Sequence, residues 1–347
     1  MKTILHRPFP VLDCDASPID RTVPADQSAR QLRDGVQLMI TDHYRTGVTV
    51  LAALTELLGP PGPSASFAKR TDFERRFREA SAGLFAPIVG HQVQLEEAGP
   101  PGFLPELYPD LKDFVLPFVD VQALHGAWLR YQEGSHLAVL GHRVHPYYGT
   151  YAPTRTTHLE LFGTWLSAYQ GARTLAVDVG TGCGVLALML AKAGFSRVAA
   201  TDNNPNAIES VSRQLQRLPE PPTLDLQCTD LLGEDTTPAE LIVFNPPWIR
   251  GDVHDLLDQA LYFEGDLFER FFDQAAERLI ANGRLVLVFS NIMQLLQPDL
   301  PHPILSELER GRFRLVQKLQ RKVKPSPGQR RTREKVEVWE LSLNQVE

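Results

Sequence analysis

The stretch LAVDVGTGCGVLALMLAKAG, residues 175–194, decides the fold of this chain. Its first apolar run ends at Asp178 and is typical of a buried strand, while its second apolar run is typical of a helix. Between the two runs, Gly180, Gly182 and Gly184 leave a turn with little side-chain bulk. Such a turn lets a ligand approach the backbone at the start of the helix. The stretch therefore predicts a strand–turn–helix unit that binds a nucleotide-like ligand.

Strands and helices alternate from Thr174 onward, which favours an α/β fold with a mostly parallel sheet. Predicted strands cover 174–178, 196–201, 223–228, 240–244 and 284–290, and predicted helices cover 184–193, 205–217, 266–281 and 303–310. Two further strands, 312–322 and 334–343, are joined by a basic loop and are therefore expected to be antiparallel. The pattern thus predicts five parallel strands followed by a C-terminal hairpin.

The chain upstream of this region is predicted to be helical. Apolar residues recur at helical spacing over 26–58, Thr71 begins a second helix with a capping box, and 110–131 forms a third helix that Pro117 could kink. The 347 residues are long enough for about two domains. We therefore expect a helical domain over 1–134 that recognises the substrate, and a second domain over 135–347 that begins with a β-hairpin.

The composition is that of an ordinary globular protein, with 43% hydrophobic and 22% charged residues. Apolar runs are all far shorter than the roughly 18 residues of a membrane span, and the N-terminus does not read as a secretory signal. Cys14, Cys183 and Cys228 are scattered, which fits a reducing compartment. We expect a cytoplasmic protein without a membrane partner, and the sequence leaves its oligomeric state open. His142 and His145 lack further ligands at metal spacing, so no metal site is expected.

Charge is distributed unevenly along the chain. The net charge is -7, yet the last 37 residues hold ten Lys and Arg against four Asp and Glu. Many of these cations, including Arg330 and Arg331, lie in the connection between the last two strands. They could contact the phosphates of a nucleic acid, or they could form a solvated loop that prevents edge-to-edge association.

Acidic residues follow the next two predicted strands. Asp202 comes 24 residues after Asp178, at the distance where a carboxylate can accept hydrogen bonds from the ribose hydroxyls of a nucleoside. Asp230 follows the third strand and could accept from an adenine amino group. A dinucleotide dehydrogenase is the alternative, although such enzymes usually have the glycine spacing G-x-G-x-x-G.

The sequence LIVFNPPWI, residues 241–249, places Asn245, Pro246, Pro247 and Trp248 directly after a predicted strand. An amide or exocyclic amine nitrogen shares its lone pair with a planar π system, so it is a poor nucleophile. Two acceptors, the Asn245 side-chain oxygen and the Pro246 carbonyl, can bind its two N–H groups and orient it. The prolines stiffen the turn and Trp248 offers a stacking face. This tetrapeptide predicts chemistry at a planar nitrogen.

Together these motifs resemble class I methyltransferases that use S-adenosylmethionine (SAM). The tetrapeptide is similar to the [DN]-P-P-[FYW] signature of the group that methylates amide or amine nitrogens, which includes release-factor glutamine methyltransferases and "methyltransferase small" RNA enzymes. The resemblance covers 150–347 and implies a Rossmann-like, seven-stranded mixed sheet. It implies catalysis by the tetrapeptide 245–248. It also implies a SAM site formed by Asp178 near the methionine amino group, Asp202 at the ribose, Asp230 at the adenine, and Gly180, Thr181, Gly182, Gly184, Asn203 and Asn245.

The methyl acceptor is suggested by the segment GHRVHPYYGTYAPTRTTHLELFGTWL, residues 141–166. It resembles the stretch before the first strand of release-factor glutamine methyltransferases, which implies substrate contacts from Arg155 and Thr157, with Trp248, Arg330 and Arg331. We therefore expect a protein amide side chain of the glutamine type. An exocyclic amine of an RNA or DNA base and a small metabolite are alternatives, as is a catalytically silent SAM-binding scaffold.

Overall fold

The computed structural model describes residues 5–62, 65–254, 257–324 and 333–344. The chain divides into two compact units, one covering residues 5–129 and the other continuing from residue 130 to the C-terminus. In the described ranges, no helix has both the length and the apolar character needed to cross a bilayer. The two units are described separately.

The first unit combines helices with a five-stranded sheet. Its elements are β1 (Ser17–Ile19), α1 (Ala25–Arg33), β2 (Leu38–Ile40), α2 (Tyr44–Leu58), α3 (Phe67–Ser81), β3 (Leu84–Val89), β4 (Gln92–Val93), α4 (Leu104–Leu107), β5 (Phe114–Pro117) and α5 (Phe118–Glu133), whose last four residues belong to the second unit. β1, β2 and β3 are parallel, whereas β4 and β5 both pair with β3 in the antiparallel direction.

The prediction of a helical N-terminal domain missed this sheet. The predicted helix over 26–58 is interrupted. Gly35 has a φ of 84°, which is incompatible with a right-handed helix, so α1 ends before it and the chain then forms β2. Pro117 ends β5 instead of kinking a helix. Strands of two to six residues are too short to show a period of two above the helical pattern around them.

The second unit contains the remaining elements. They are β6 (Ser135–Leu137), β7 (His142–Val144), α6 (Thr157–Ala168), β8 (Leu175–Val179), α7 (Val185–Lys192), β9 (Arg197–Asp202), α8 (Pro205–Arg217), β10 (Leu224–Cys228), β11 (Ala239–Phe244), β12 (Ile249–Arg250), β13 (Tyr262–Phe263), α9 (Leu267–Arg278), β14 (Leu279–Ser290), α10 (Ile292–Leu296), α11 (Pro303–Arg310), β15 (Phe313–Lys322) and β16 (Lys335–Leu343).

Seven of these strands form one mixed sheet in the order β10-β9-β8-β11-β14-β16-β15. The first five are parallel to one another, and β16 is antiparallel to both of its neighbours. The predicted α/β class, with five parallel strands and a C-terminal hairpin, is confirmed. The order of the strands along the chain reverses between β8 and β11. In open parallel sheets, such a reversal leaves a crevice at the carboxyl ends of the strands.

Helices cover both faces of this sheet. Ala176 of β8 belongs to the core beneath α6 and α7, where Phe162 and Trp165 are buried. Its neighbour Val177 belongs to the opposite core, which Phe271 of α9 helps to fill. Since successive residues of a strand point to opposite faces, β8 is buried on both sides and holds its carboxyl end rigidly.

Candidate functional site

A cavity of about 510 Å³ opens at the carboxyl ends of the parallel strands, where the strand order predicts a crevice. The loops after β8, β9, β10 and β11 contribute to its lining. Its walls contain the glycine turn, Asp202, Asp230 and the tetrapeptide at 245–248. The structure thus brings together, in one cavity, motifs that lie up to 70 residues apart in the sequence.

The glycine turn connects β8 to α7 and needs its glycines. Gly180, Gly182 and Gly184 have φ values of 63°, 54° and 81°, which other residues adopt only with strain. A Cβ at Gly182 would have no protein atom within 4 Å, so this part of the turn leaves room for a ligand. The backbone N–H of Thr181 donates to the Thr201 carbonyl oxygen at 2.9 Å and ties the turn to β9.

Asp178, at the end of β8, is almost completely buried. Its Oδ2 accepts hydrogen bonds from the Thr181 hydroxyl at 2.7 Å and from the Ala187 N–H at 2.9 Å. Within the described part of the chain, its Oδ1 is buried without a hydrogen-bond partner. A buried acceptor of this kind fits the amino group of a bound ligand, because an unpaired buried oxygen costs about 1–3 kcal/mol.

The burial of Asp178 predicts a pH-dependent stability. Burial raises the pKa of this carboxyl to about 7, against the hydrogen bonds from Thr181 and Ala187 that lower it. The pKa of an aspartate in an unfolded chain is about 3.9. Between these values the folded state binds more protons than the unfolded state, so this group makes the protein less stable as the pH rises from about 4 to about 7.

We therefore expect Asp178→Asn to gain thermal stability over the wild-type protein as the pH is raised from 5 to 8. The measurement is the melting temperature of both proteins, without ligand, at constant ionic strength. Asp225→Asn, at a partly exposed position on β10, serves as the control and should follow the wild-type curve. Parallel curves for wild type and Asp178→Asn would contradict the assigned burial effect.

Asp202 ends β9 and faces the cavity with both oxygens fixed. Its Oδ2 accepts from the Gly182 N–H and its Oδ1 from the Asn204 N–H, each at 2.8 Å. Burial raises the pKa of this carboxyl, and these two backbone donors oppose the rise. Each carboxylate oxygen has a second lone pair, so the group can still accept from ligand hydroxyls. The neighbouring Asn203 is exposed and also lines the cavity.

Asp230 lies at the outer edge of the cavity. Its carboxylate forms an ion pair with the Arg270 guanidinium, and its side chain is about half exposed. Arg270 also pairs with Asp266 at 2.9 Å. The residue predicted to contact an adenine amino group is therefore at the cavity, but its carboxylate already has a cationic partner.

The tetrapeptide 245–248 leaves β11 at the same edge of the sheet. Asn245 Oδ1 accepts a hydrogen bond from the Trp248 indole N–H at 3.2 Å, and that indole nitrogen also lies 3.3 Å from the Val288 carbonyl oxygen. The amide oxygen keeps a second lone pair that is available to a ligand. The Trp248 ring meets the His158 ring edge-to-face, with 5.5 Å between the ring centroids. The contact between Asn245 and Trp248 thus fixes the side chains of two of the four predicted catalytic residues.

Two other titratable groups of the cavity stay neutral at pH 7. Burial lowers the pKa of His158 to about 4, so its imidazole carries no charge beside Trp248. Burial raises the pKa of the Cys183 thiol to about 12, so the thiolate that a nucleophile needs is not formed. Within the described ranges, no cluster of three His, Cys, Asp or Glu residues could hold a metal ion.

The predicted substrate residues are not all gathered in this cavity. Arg155 does not line it, but forms an ion pair at 3.1 Å with Glu334, which does. Thr157 begins α6 and is also outside the lining. Arg330 and Arg331 lie outside the described residues. Trp248 lines the cavity, and a substrate role for these residues stays a prediction.

Sequence reasoning missed two walls of the cavity. One is the segment from Gly149 to Tyr151, and the other is formed by Ile249 of β12 and by residues 259–264, which include β13. Each of β12 and β13 has only two residues and therefore leaves no periodic signal. The first wall did leave a signal in the sequence, although the signal lies on α8. Asn206, Ser210 and Gln214 repeat every four residues and so share one buried face of that helix, where polar side chains need hydrogen-bond partners from another segment.

Residues 162–304 match the family Methyltransferase small domain. This range runs from α6 to the start of α11 and includes the glycine turn, Asp202 and the tetrapeptide. A search of curated protein sequences gives no significant match.

Solved structures of methyltransferases resemble part of this chain. A ribosomal protein L11 methylase from Lactobacillus delbrueckii subsp. bulgaricus has a TM-score of 0.38 and 20% identity, over 56% of this chain and 82% of its own. A rRNA methylase from Streptococcus thermophilus has a TM-score of 0.37 and 16% identity, over 56% of this chain and 100% of its own. The M1A22 tRNA methyltransferase of B. subtilis has a TM-score of 0.36 and 14% identity, over 52% of this chain and 65% of its own.

The cavity residues fit SAM. The open position at Gly182 leaves space for a ligand, and the partnerless Asp178 Oδ1 can accept from an amino group. The strand order provides the crevice in which such a ligand would lie. Residues 162–304, with the sheet that they help to form, are a class I methyltransferase domain that uses SAM as its methyl donor.

Proposed function

We propose that this domain transfers a methyl group to a planar nitrogen, and that the preferred acceptor is a protein amide side chain of the glutamine type. The observation that carries the proposal is the position of the tetrapeptide. Asn245 and Pro246 open on the same cavity as the glycine turn and Asp202. An acceptor bound by these two residues would therefore face the part of the cavity that holds the methyl donor.

The chain's own residues hold the cofactor in this proposal. Asp178 accepts from the methionine amino group, Asp202 from the ribose hydroxyls and Asp230 from the adenine amino group. The rest of the proposed cofactor set consists of Gly180, Thr181, Gly182, Gly184, Asn203 and Asn245. SAM supplies a methyl group on a positively charged sulfur, which makes that carbon reactive towards a nucleophile.

The tetrapeptide compensates for the weak nucleophilicity of the acceptor. The Asn245 side-chain oxygen and the Pro246 carbonyl accept the two N–H groups and align the nitrogen with the methyl–sulfur bond. Both acceptors also stabilise the positive charge that develops on the nitrogen. Pro247 stiffens the turn, and Trp248 provides a flat surface for the acceptor. Because His158 is neutral, it adds no repulsive charge beside that nitrogen.

The charge of the cavity favours a neutral acceptor. Among its described lining residues, Arg270 is the one Lys or Arg side chain, and it is paired with Asp230 and Asp266. The lining also includes the carboxylates of Glu264 and Glu334. A phosphorylated metabolite would meet no uncommitted cation among these residues, whereas an uncharged amide needs none.

An exocyclic amine of a nucleic-acid base is the second candidate, supported by the cations next to the β15–β16 connection. Lys322, Lys324 and Arg333 are exposed there and could contact phosphates outside the cavity. A base flipped into the cavity would then present its amine to Asn245. For either acceptor, we propose that residues 1–134 contribute to substrate recognition.

The acceptor class can be tested with purified protein, methyl-labelled SAM and a cell extract that is divided after the reaction. We expect protease to release the label and nuclease to leave it in place. Label released by nuclease alone would replace the first candidate with the second. Label in neither fraction would contradict both and favour a metabolite or a silent scaffold. Heat-inactivated protein gives the background.

A further inference from the structure

The chain before α6 is attached to α8 by a ladder of side-chain hydrogen bonds. Gln214 accepts from the His145 N–H and donates to the Arg143 carbonyl oxygen, both at 3.0 Å. One turn earlier on α8, Ser210 Oγ accepts from the Tyr147 N–H at 3.0 Å. These side chains are 1–2% exposed, and buried hydrogen bonds of this kind fix a segment's position firmly.

The ladder continues to the carboxylate that is proposed to bind the ribose. Asn206 Nδ2 donates to the Tyr148 carbonyl oxygen at 2.9 Å, and Asn204 Nδ2 donates to the Gly149 carbonyl oxygen at 2.8 Å. The backbone N–H of Asn204 is the group that donates to Asp202 Oδ1. Gly149 and Asp202 are therefore held by the same asparagine.

Thr150 follows immediately and lines the cavity. Its N–H donates to the Tyr147 carbonyl oxygen at 3.1 Å, which closes a turn. Its hydroxyl is buried and, in the ranges that the structure describes, has no hydrogen-bond partner. Of the described residues that line the cavity, only Thr150 and Asp178 have a buried side-chain oxygen without a hydrogen-bond partner.

The two partnerless atoms are chemically complementary. Asp178 Oδ1 can only accept when the carboxyl is ionised, whereas the Thr150 hydroxyl can donate. An α-amino acid carries an ammonium donor and a carboxylate acceptor on the same carbon, and therefore satisfies one atom of each kind. The three aspartates of the cavity, by contrast, offer acceptors and would repel a carboxylate.

We propose that the Thr150 hydroxyl donates a hydrogen bond to the α-carboxylate of the cofactor's methionine moiety, whose ammonium is bound by Asp178. Thr150 is then a cofactor-binding residue, and the ladder of α8 positions it. This proposal rests on the proposed cofactor orientation, with the methionine amino group at Asp178.

The test compares two ligands by titration calorimetry. S-adenosylhomocysteine (SAH) has the amino-acid group, and 5′-methylthioadenosine lacks it. Thr150→Val should weaken SAH binding about tenfold, the loss of one hydrogen bond to a charged group, and change methylthioadenosine binding less than about twofold. Thr150→Ser keeps the hydroxyl and should retain the affinity for SAH.

Stability separates this role from a structural one. Because the Thr150 hydroxyl has no protein partner among the described residues, Thr150→Val should not lower the melting temperature of the ligand-free protein. Thr164→Val is the matched control, since its exposed hydroxyl donates to the Glu160 carbonyl oxygen at 3.0 Å. That variant should bind both ligands as the wild type does.

Several outcomes would overturn the assignment. Unchanged SAH affinity in Thr150→Val, or equal losses for the two ligands, would contradict a contact with the carboxylate. A lower melting temperature of the ligand-free Thr150→Val protein would assign the hydroxyl a structural role instead. A wild-type protein that binds neither ligand would overturn the cofactor site itself, so the two failures are distinguishable.

Discussion

Replacing Asn245 with alanine should lower the rate of methyl transfer by about 100-fold or more, a much larger effect than the loss of SAH affinity that its place in the proposed cofactor set entails. The variant loses the side-chain acceptor that orients the nitrogen and stabilises its developing charge. Removing one such polar group from an active site typically costs about 10²–10³ in rate. The measurement is a single-turnover rate with an accepted substrate, together with SAH titration.

Two control variants test why the rate falls. Asn245→Asp keeps an acceptor oxygen and should retain more activity than the alanine variant. Trp248→Phe removes the indole N–H that donates to Asn245 Oδ1, but keeps an aromatic face. If Trp248→Phe is as inactive as Asn245→Ala, then Asn245 acts by holding the tryptophan. A wild-type rate in Asn245→Ala would contradict any role in transfer.

Asp202→Ala should weaken SAH binding by about 100-fold. It removes the carboxylate proposed to accept from both ribose hydroxyls, and hydrogen bonds to a charged group contribute roughly 1.5–3 kcal/mol each. It also leaves the N–H groups of Gly182 and Asn204 without their acceptor, which loosens the glycine turn. Calorimetric titration of SAH measures the effect.

Asp225→Ala is the matched control for this loss. Asp225 lies on the neighbouring strand β10, where it pairs with Arg197 at 2.7 Å and has a partly exposed side chain. The control should leave SAH affinity unchanged, because exposed ion pairs contribute little. Equal affinity in Asp202→Ala and in the wild type would remove Asp202 from the cofactor site.

The sequence predicts the second unit closely because its elements have strong local signals. The helices 205–217 and 303–310 have the predicted bounds, and the observed β8, Leu175–Val179, differs from the prediction by one residue at each end. A five-residue strand buried on both faces reads as an almost wholly apolar run between turns, and in β8 only Asp178 interrupts it. In the first unit, the three-residue strands β1 and β2 have no such run.

The residues of the candidate site also differ in how far the sequence reveals them. The glycine turn and Asn245 are recognisable because their chemistry needs particular residue types beside a strand. Thr150 has no such local signal, since its position depends on hydrogen bonds to side chains more than 50 residues away. Arg155 was expected to contact substrate, but its pairing with Glu334 spans 179 residues of sequence. Tertiary contacts of this range are invisible to local patterns.

The position of β16 between β14 and β15 has a consequence for the synthesis of this protein. Residues 335–343 follow every other strand of the sheet in the chain, yet they fill an interior place in it. A nascent chain that has not yet emerged to this point leaves β14 and β15 without their shared partner. Unpaired strand edges are prone to join other chains, so the emerging protein is exposed to aggregation until its final strand arrives.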